Sequence, residues 1–114
     1  MNETYESARA LANKLSDRKA EDITLIDIAD KSSFADYFVN ATASSERQLG
    51  ALSDEIFDSA VELGLDPKGV EGQKGSGWIL IDCGDIIVNI FTNEVRERYS
   101  LDKIWSDCEI EHID

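Results

Sequence analysis

The side chains able to do acid–base, nucleophilic or metal chemistry are few in kind and badly spaced for it. The single histidine, His112, stands among acids near the end of the chain. A Ser-His or Cys-His pair needs its base within hydrogen-bond reach of the nucleophile, held there by a third group. Nothing around His112 suggests such a constellation, and it reads as a tail residue. Cys83 and Cys108 are far apart and lack the clustered spacing of a metal site. Cys83 sits in an apolar run and reads as a small core hydrophobe. Cys108 has acidic neighbours that disfavour its thiolate.

Carboxylates are abundant, so metal-assisted phosphoryl chemistry has to be weighed. A two-metal site usually wants two acids projecting together, often as Asp-x-Asp on a strand. Here Asp36-Tyr37-Phe38 puts an aromatic where the second ligand would project, because alternate strand residues share a face. Asp82 and Asp85 straddle a turn, and Asp85 has a simpler role as a turn residue. A site built from Asp36 with Asp82, in a diverged metal-dependent nucleotidyltransferase, stays open as the enzymatic alternative. The segment Glu71-Gly-Gln-Lys-Gly-Ser-Gly77 has glycines and a lysine but not the Gly-x-x-x-x-Gly-Lys-Ser/Thr order. It also leads into a strand, where a phosphate loop leads into a helix. It reads as a connector. No catalytic residue, metal ligand or cofactor is expected.

The elements around these residues are more legible. Tyr5, Ala8, Leu11, Ala12 and Leu15 recur at helical spacing and predict a first helix over residues 3–18. β-branched runs predict strands over 22–28 and 36–42. Ser45 and Gln48 have the spacing of a capping box, opening a helix whose stripe is Leu49, Leu52, Ile56, Ala60 and Leu63. Gly64 is its expected stop, and Pro67 prevents resumption. Lys68 to Glu71 suits a short strand. Trp78–Cys83 and Ile86–Thr92, joined by Gly84-Asp85, read as a hairpin with a two-residue loop of type II′. Glu94–Tyr99 reads as a short helix or turn. Residues 106–114 carry four acids and neither Lys nor Arg, and are expected to fray. One α/β domain over residues 1–105, with helices on a mixed sheet, and a flexible acidic tail over 106–114 follow from this order.

Length and charge narrow the function. At 114 residues the chain suits one domain, and its 42% hydrophobic and 31% charged content is ordinary for a globular protein. No apolar run approaches the ~20 residues of a membrane helix. The opening Met1-Asn-Glu-Thr-Tyr-Glu6 has no signal-peptide character, so the cytoplasm is the expected compartment. Asp and Glu total 24 against 11 Lys and Arg, a net charge of −13. A field of that sign opposes binding to phosphate backbones and favours encounter with a basic protein. Solubility alone, or a saline habitat, is the plainer explanation of the same charge.

The hairpin holds the most unusual feature. A two-residue loop pairs Cys83 with Ile86, Ile81 with Val88 and Ile79 with Ile90, giving one wholly apolar face that must be core. The other face carries Trp78, Leu80 and Asp82 opposite Phe91, Asn89 and Ile87. Aromatic and aliphatic centres with a few polar members are how docking patches are composed, with Trp a favoured anchor. Cover by the first helix or by Tyr99–Trp105 is the competing explanation, and composition leaves both open.

Five blocks carry a family resemblance: Ala20-Glu-Asp-Ile23, Ser33-Phe-Ala-Asp-Tyr-Phe-Val39, Ser44-Ser-Glu-Arg-Gln48, Gly77-Trp-Ile-Leu-Ile-Asp-Cys-Gly-Asp85, and Glu94-Val-Arg-Glu-Arg-Tyr-Ser-Leu-Asp-Lys-Ile-Trp105. In order and spacing they resemble the ribosomal silencing factor, or Iojap, family over residues 3–105. The resemblance implies a nucleotidyltransferase-like α/β fold without the catalytic acids, in agreement with Phe38. It implies binding to the large ribosomal subunit through its ribosomal protein fourteen, which blocks joining of the small subunit and represses translation. It also implies possible homodimers, and a role in large-subunit assembly among organellar relatives. Carried over, the partner-binding residues are Trp78, Leu80 and Asp82, with Asp85 and Tyr99 nearby. The family signature usually has His where this chain has Asn89 and often Glu where it has Thr92, so no role is carried to those two positions.

Overall fold

A computed structural model describes residues 3–33, 35–72, 75–98, 103 and 106–113. Within them the chain order is α1 (Glu3–Asp17), β1 (Glu21–Asp27), β2 (Tyr37–Ala43), α2 (Glu46–Glu62), β3 (Gly69–Glu71), β4 (Trp78–Asp82), β5 (Ile86–Thr92), α3 (Asn93–Arg98) and β6 (Glu109–Ile113). The strands form one six-stranded sheet in the order β3-β4-β5-β2-β1-β6. Neighbours β2 and β5 run parallel and every other pair is antiparallel, so the sheet is mixed, as expected. Among the described residues, no helix is long and apolar enough to cross a membrane.

Both long helices pack on the same face of this sheet. Ala8, Leu11, Ala12 and Leu15 of α1 join Leu49, Leu52, Ile56 and Ala60 of α2 over Leu25, Val39, Ile81, Val88 and Ile90. Each predicted stripe is buried along its length but not at its outer end: Tyr5 is half-buried, and Leu63, the C-cap residue of α2, is 42% exposed. Local chemistry fixes the ends of α2. Ser45 Oγ accepts from Gln48 N at 3.1 Å, and Gln48 Oε1 reaches back to Ser44 N at 2.6 Å. The return bond lands one residue earlier than in a simple capping box. At the other end Gly64 takes φ +82°. Leu65 N donates to Ala60 O and Gly64 N to Val61 O, the paired bonds of a Schellman stop.

The C-terminus departs from expectation. Residues 109–113 were expected to fray, yet they form β6, antiparallel to β1 with Ile113 opposite Ile23 and Ile110 opposite Ile26. Ile113 joins the main core while Ile110 packs on the opposite side. Spaced three apart, the two isoleucines give no period-two pattern in sequence; in the strand that spacing sends one to each face of the sheet. Acidic side chains on an edge strand also discourage pairing with a further chain.

Candidate docking face

The β4–β5 hairpin has the register derived from its two-residue loop. Trp78 lies opposite Phe91, Ile79 opposite Ile90, Leu80 opposite Asn89, Ile81 opposite Val88 and Asp82 opposite Ile87. Cys83 N donates to Ile86 O at 2.9 Å across the loop. Positive φ falls on Gly84 and not on Asp85, as a II′ loop requires. Pairing of β5 with β2 carries the same rows inward, with Asn89 beside Asn40 and Ile87 beside Phe38.

Trp78, Leu80 and Asp82 stand on the face away from α1 and α2, and all three are half-buried. The first helix therefore does not cover them. Around Trp78 the contacts are specific. Its indole Nε1 donates to Asn89 Oδ1 at 3.1 Å, and Asn89 Nδ2 donates to Asn40 Oδ1 at 3.1 Å. Its ring lies 5.2 Å from that of Phe91, tilted by 50°. Phe91 in turn lies under the Arg96 guanidinium, 5.9 Å from the ring centre. Arg96 extends from α3, where it donates to Thr42 Oγ1 at 2.8 Å and to the carbonyl of Asp22 at 2.7 Å. Gly77, just before the tryptophan, has φ +77°, and a Cβ there would come within 2.6 Å of Val95 and 2.8 Å of Thr92. Only glycine admits this approach of α3 to the start of β4.

The acids behave differently from one another. Asp82 Oδ1 accepts from Gly84 N at 2.9 Å, so this carboxylate also holds the hairpin turn. Asp85 is exposed in that turn, and its carbonyl accepts from Asp36 N and Tyr37 N. Trp78 and Asp82 stand at opposite ends of β4, roughly 13 Å apart at strand rise, with Asp85 beyond the latter. The structure thus gathers Trp78, Leu80 and Asp82 on one strand face and puts Asp85 at its tip. Tyr99 lies outside the described residues.

Asp82, one residue of the enzymatic alternative, lies in an apolar row. Across the row from Asp82 come Ile87 and then Phe38, both in a small apolar cluster with Ile26, Ile28 and Ala35. Among the described residues no group of three or more His, Cys, Asp or Glu is placed to hold a metal ion. Cys83 is buried as expected, and burial, with Asp82 adding to it, pushes its thiol up to about 11.

A model of the family described as "Ribosomal silencing factor during starvation" matches residues 1–114. This chain belongs to the ribosomal silencing factor family. The Bacillus subtilis (strain 168) ribosomal silencing factor RsfS is 38% identical over 98 residues, 86% of this chain and 83% of that one. The mouse protein named for mitochondrial assembly of the ribosomal large subunit is 29% identical over 99 residues, 84% of this chain and 43% of its own length. Among solved structures, the crystal structure of a Chromobacterium violaceum protein matches with TM-score 0.86 at 30% identity, covering 92% of this chain and 88% of the other. The resemblance carried by five short blocks is therefore family membership, and with it goes the family's role as a regulator at the ribosome.

Sequence reasoning missed two parts of this silencing-factor face: the Asn40–Asn89 pair and Arg96. A signal for the first exists. Phe38-Val-Asn-Ala41 and Ile87-Val-Asn-Ile90 each bury an amide inside an apolar β-run, and a buried amide needs a partner. Arg96 gave none, because its partners lie 74 and 54 positions away in sequence.

Proposed function

We propose that this chain docks on the large ribosomal subunit through ribosomal protein fourteen and so prevents the small subunit from joining. The observation carrying the proposal is the half-buried Trp78–Leu80–Asp82 face of β4, turned away from both long helices, in a chain of the silencing-factor family. Trp78 and Leu80 bury apolar area on the partner at roughly 25 cal/mol per Å². Asp82, with Asp85 at the hairpin tip and Tyr99 as a further candidate, pairs with its Lys or Arg side chains. A net charge of −13 speeds the encounter with a basic surface and discourages direct binding to rRNA. Silencing of this kind is steric and needs no catalytic step.

The test is sucrose-gradient sedimentation of purified large and small subunits with and without the protein. Loss of joined particles, with the protein travelling on the large subunit, is the expected result. Undiminished joining at saturating protein rejects the proposal. A second reading, large-subunit assembly, draws on the name of the mouse relative. It predicts accumulation of incomplete large subunits when the protein is depleted, with joining of mature subunits unaffected by adding it.

A further inference from the structure

The Asn40–Asn89 pair has a consequence for the docking face. Both amides are buried, at 3% and 5% exposure, on neighbouring parallel strands in the middle of the sheet. Neither touches solvent enough to act on a partner directly. Donation runs in one direction, inward from the indole: Trp78 Nε1 donates to Asn89 Oδ1, and Asn89 Nδ2 donates to Asn40 Oδ1, which holds the Asn89 amide with its oxygen toward the indole. Phe91 supports the indole from the neighbouring strand position. A different Trp78 rotamer would forfeit the bond to a buried acceptor, and an acceptor stranded in the interior is costly.

We infer that Asn89 and Asn40 are positioning residues for docking, which fix the plane of the Trp78 indole so that the partner meets it already oriented. The inference rests on the docking proposal above. An aromatic anchor ordered before contact does not lose side-chain freedom on binding, so its affinity is higher than that of the same ring left to rotate. The relay also explains why an amide is buried in the middle of each of these two strands. Aliphatic residues there would pack as well, but would release the indole N–H.

The experiment compares four variants with the natural protein in equilibrium binding to purified large subunits, with thermal unfolding and the indole N–H resonance of Trp78 followed alongside. Asn89→Leu retains neither bond. Asn89→His retains both, since neutral imidazole has one accepting and one donating nitrogen. Asn40→Ala releases the far end of the relay, and Trp78→Ala removes the anchor. Expected are about tenfold weaker binding for Asn89→Leu, an intermediate loss for Asn40→Ala, and near-natural affinity for Asn89→His. The indole N–H should exchange slowly in the natural protein and in Asn89→His, and rapidly in Asn89→Leu. If Trp78→Ala binds like the natural protein, the docking proposal itself fails. If Trp78→Ala is weak while a folded Asn89→Leu binds normally, docking stands and the positioning role is overturned. Failure of Asn89→His to restore what Asn89→Leu loses also overturns it. Should Asn89→Leu fold too poorly to assay, Asn40→Ala decides by the same comparison.

Discussion

The Tyr5 hydroxyl donates to Glu111 Oε1 at 2.7 Å, joining the first turn of α1 to the last strand across 106 positions of sequence. Arg9, one helical turn further, pairs with the other oxygen of the same carboxylate. An acid in an acidic C-terminal segment is thereby tied to the helix layer, and β6 is held in place on its helix-facing side. Tyr5→Phe should cost about 1 kcal/mol, the usual net value of one hydrogen bond. Removing residues 109–114 should cost about 3 kcal/mol or more, because the buried Ile113 goes with the strand. Equilibrium urea unfolding measures both. A truncated protein as stable as the full chain would mean that β6 contributes nothing to the fold.

Arg96 braces an irregular point of the sheet. Between Glu21 and Thr24 the β1–β2 register shifts, and Asp22 there takes φ +47°, a conformation that side chains other than glycine rarely adopt. The guanidinium donates to that residue's carbonyl and to Thr42 Oγ1 while itself only 8% exposed. Arg96→Leu leaves those acceptors without this donor and should cost about 2–3 kcal/mol. A loss below about 0.5 kcal/mol, the range of an ordinary surface change, would remove Arg96 from the scaffold.

What the sequence made legible was local. The hairpin register followed from a Gly84-Asp85 loop and a period of two, and every pair from Trp78–Phe91 to Asp82–Ile87 lies where that logic put it. The caps of α2 followed from residues within four positions of one another. What stayed hidden was long-range. Glu111 is one more tail acid in sequence until α1 is seen beside it, and nothing close to Arg96 in sequence points to Thr42 or Asp22. Asn89 departs from the family signature, which carries no role to this position, yet it accepts a hydrogen bond from the Trp78 indole.

Cys83 gives a titration test. Burial raises its thiol from about 9 to about 11, so the folded protein holds this proton more tightly than the unfolded chain does. Stability tied to it is complete below pH 9 and declines as pH climbs toward 11. At pH 8 the thiolate is scarce as well as covered, so a disulfide reagent should find Cys83 only after denaturant is added. Cys108, half-buried at the entrance to β6, should react first despite acidic Asp107 beside it. Equal rates for both thiols in the native protein would contradict the packing of Cys83.

Trp78 should be a hot spot of binding, and its removal should also cost some stability because buried Asn89 Oδ1 loses its donor. Trp78→Ala should weaken large-subunit binding by about 2 kcal/mol or more, roughly 30-fold in Kd. Its rim position on β4 leaves the α1–α2 core intact, so the variant should keep a cooperative unfolding transition. Full retention on large subunits in a pull-down, from a folded variant, would reject the assignment.

Asp82 allows charge and structure to be separated. Its Oδ1 accepts from Gly84 N, and an asparagine in the same place keeps a carbonyl oxygen for that bond. Asp82→Asn should therefore unfold as the natural protein does, whereas Asp82→Ala should lose the turn contact and some stability. If the carboxylate faces a Lys or Arg of the partner, Asp82→Asn binds more weakly, and the deficit shrinks as added salt screens the natural pair. A deficit that is the same at low and high salt would mean that Asp82 acts through the hairpin turn alone. Association of the natural protein should slow as salt rises, because attraction between an acidic chain and a basic surface acts before contact.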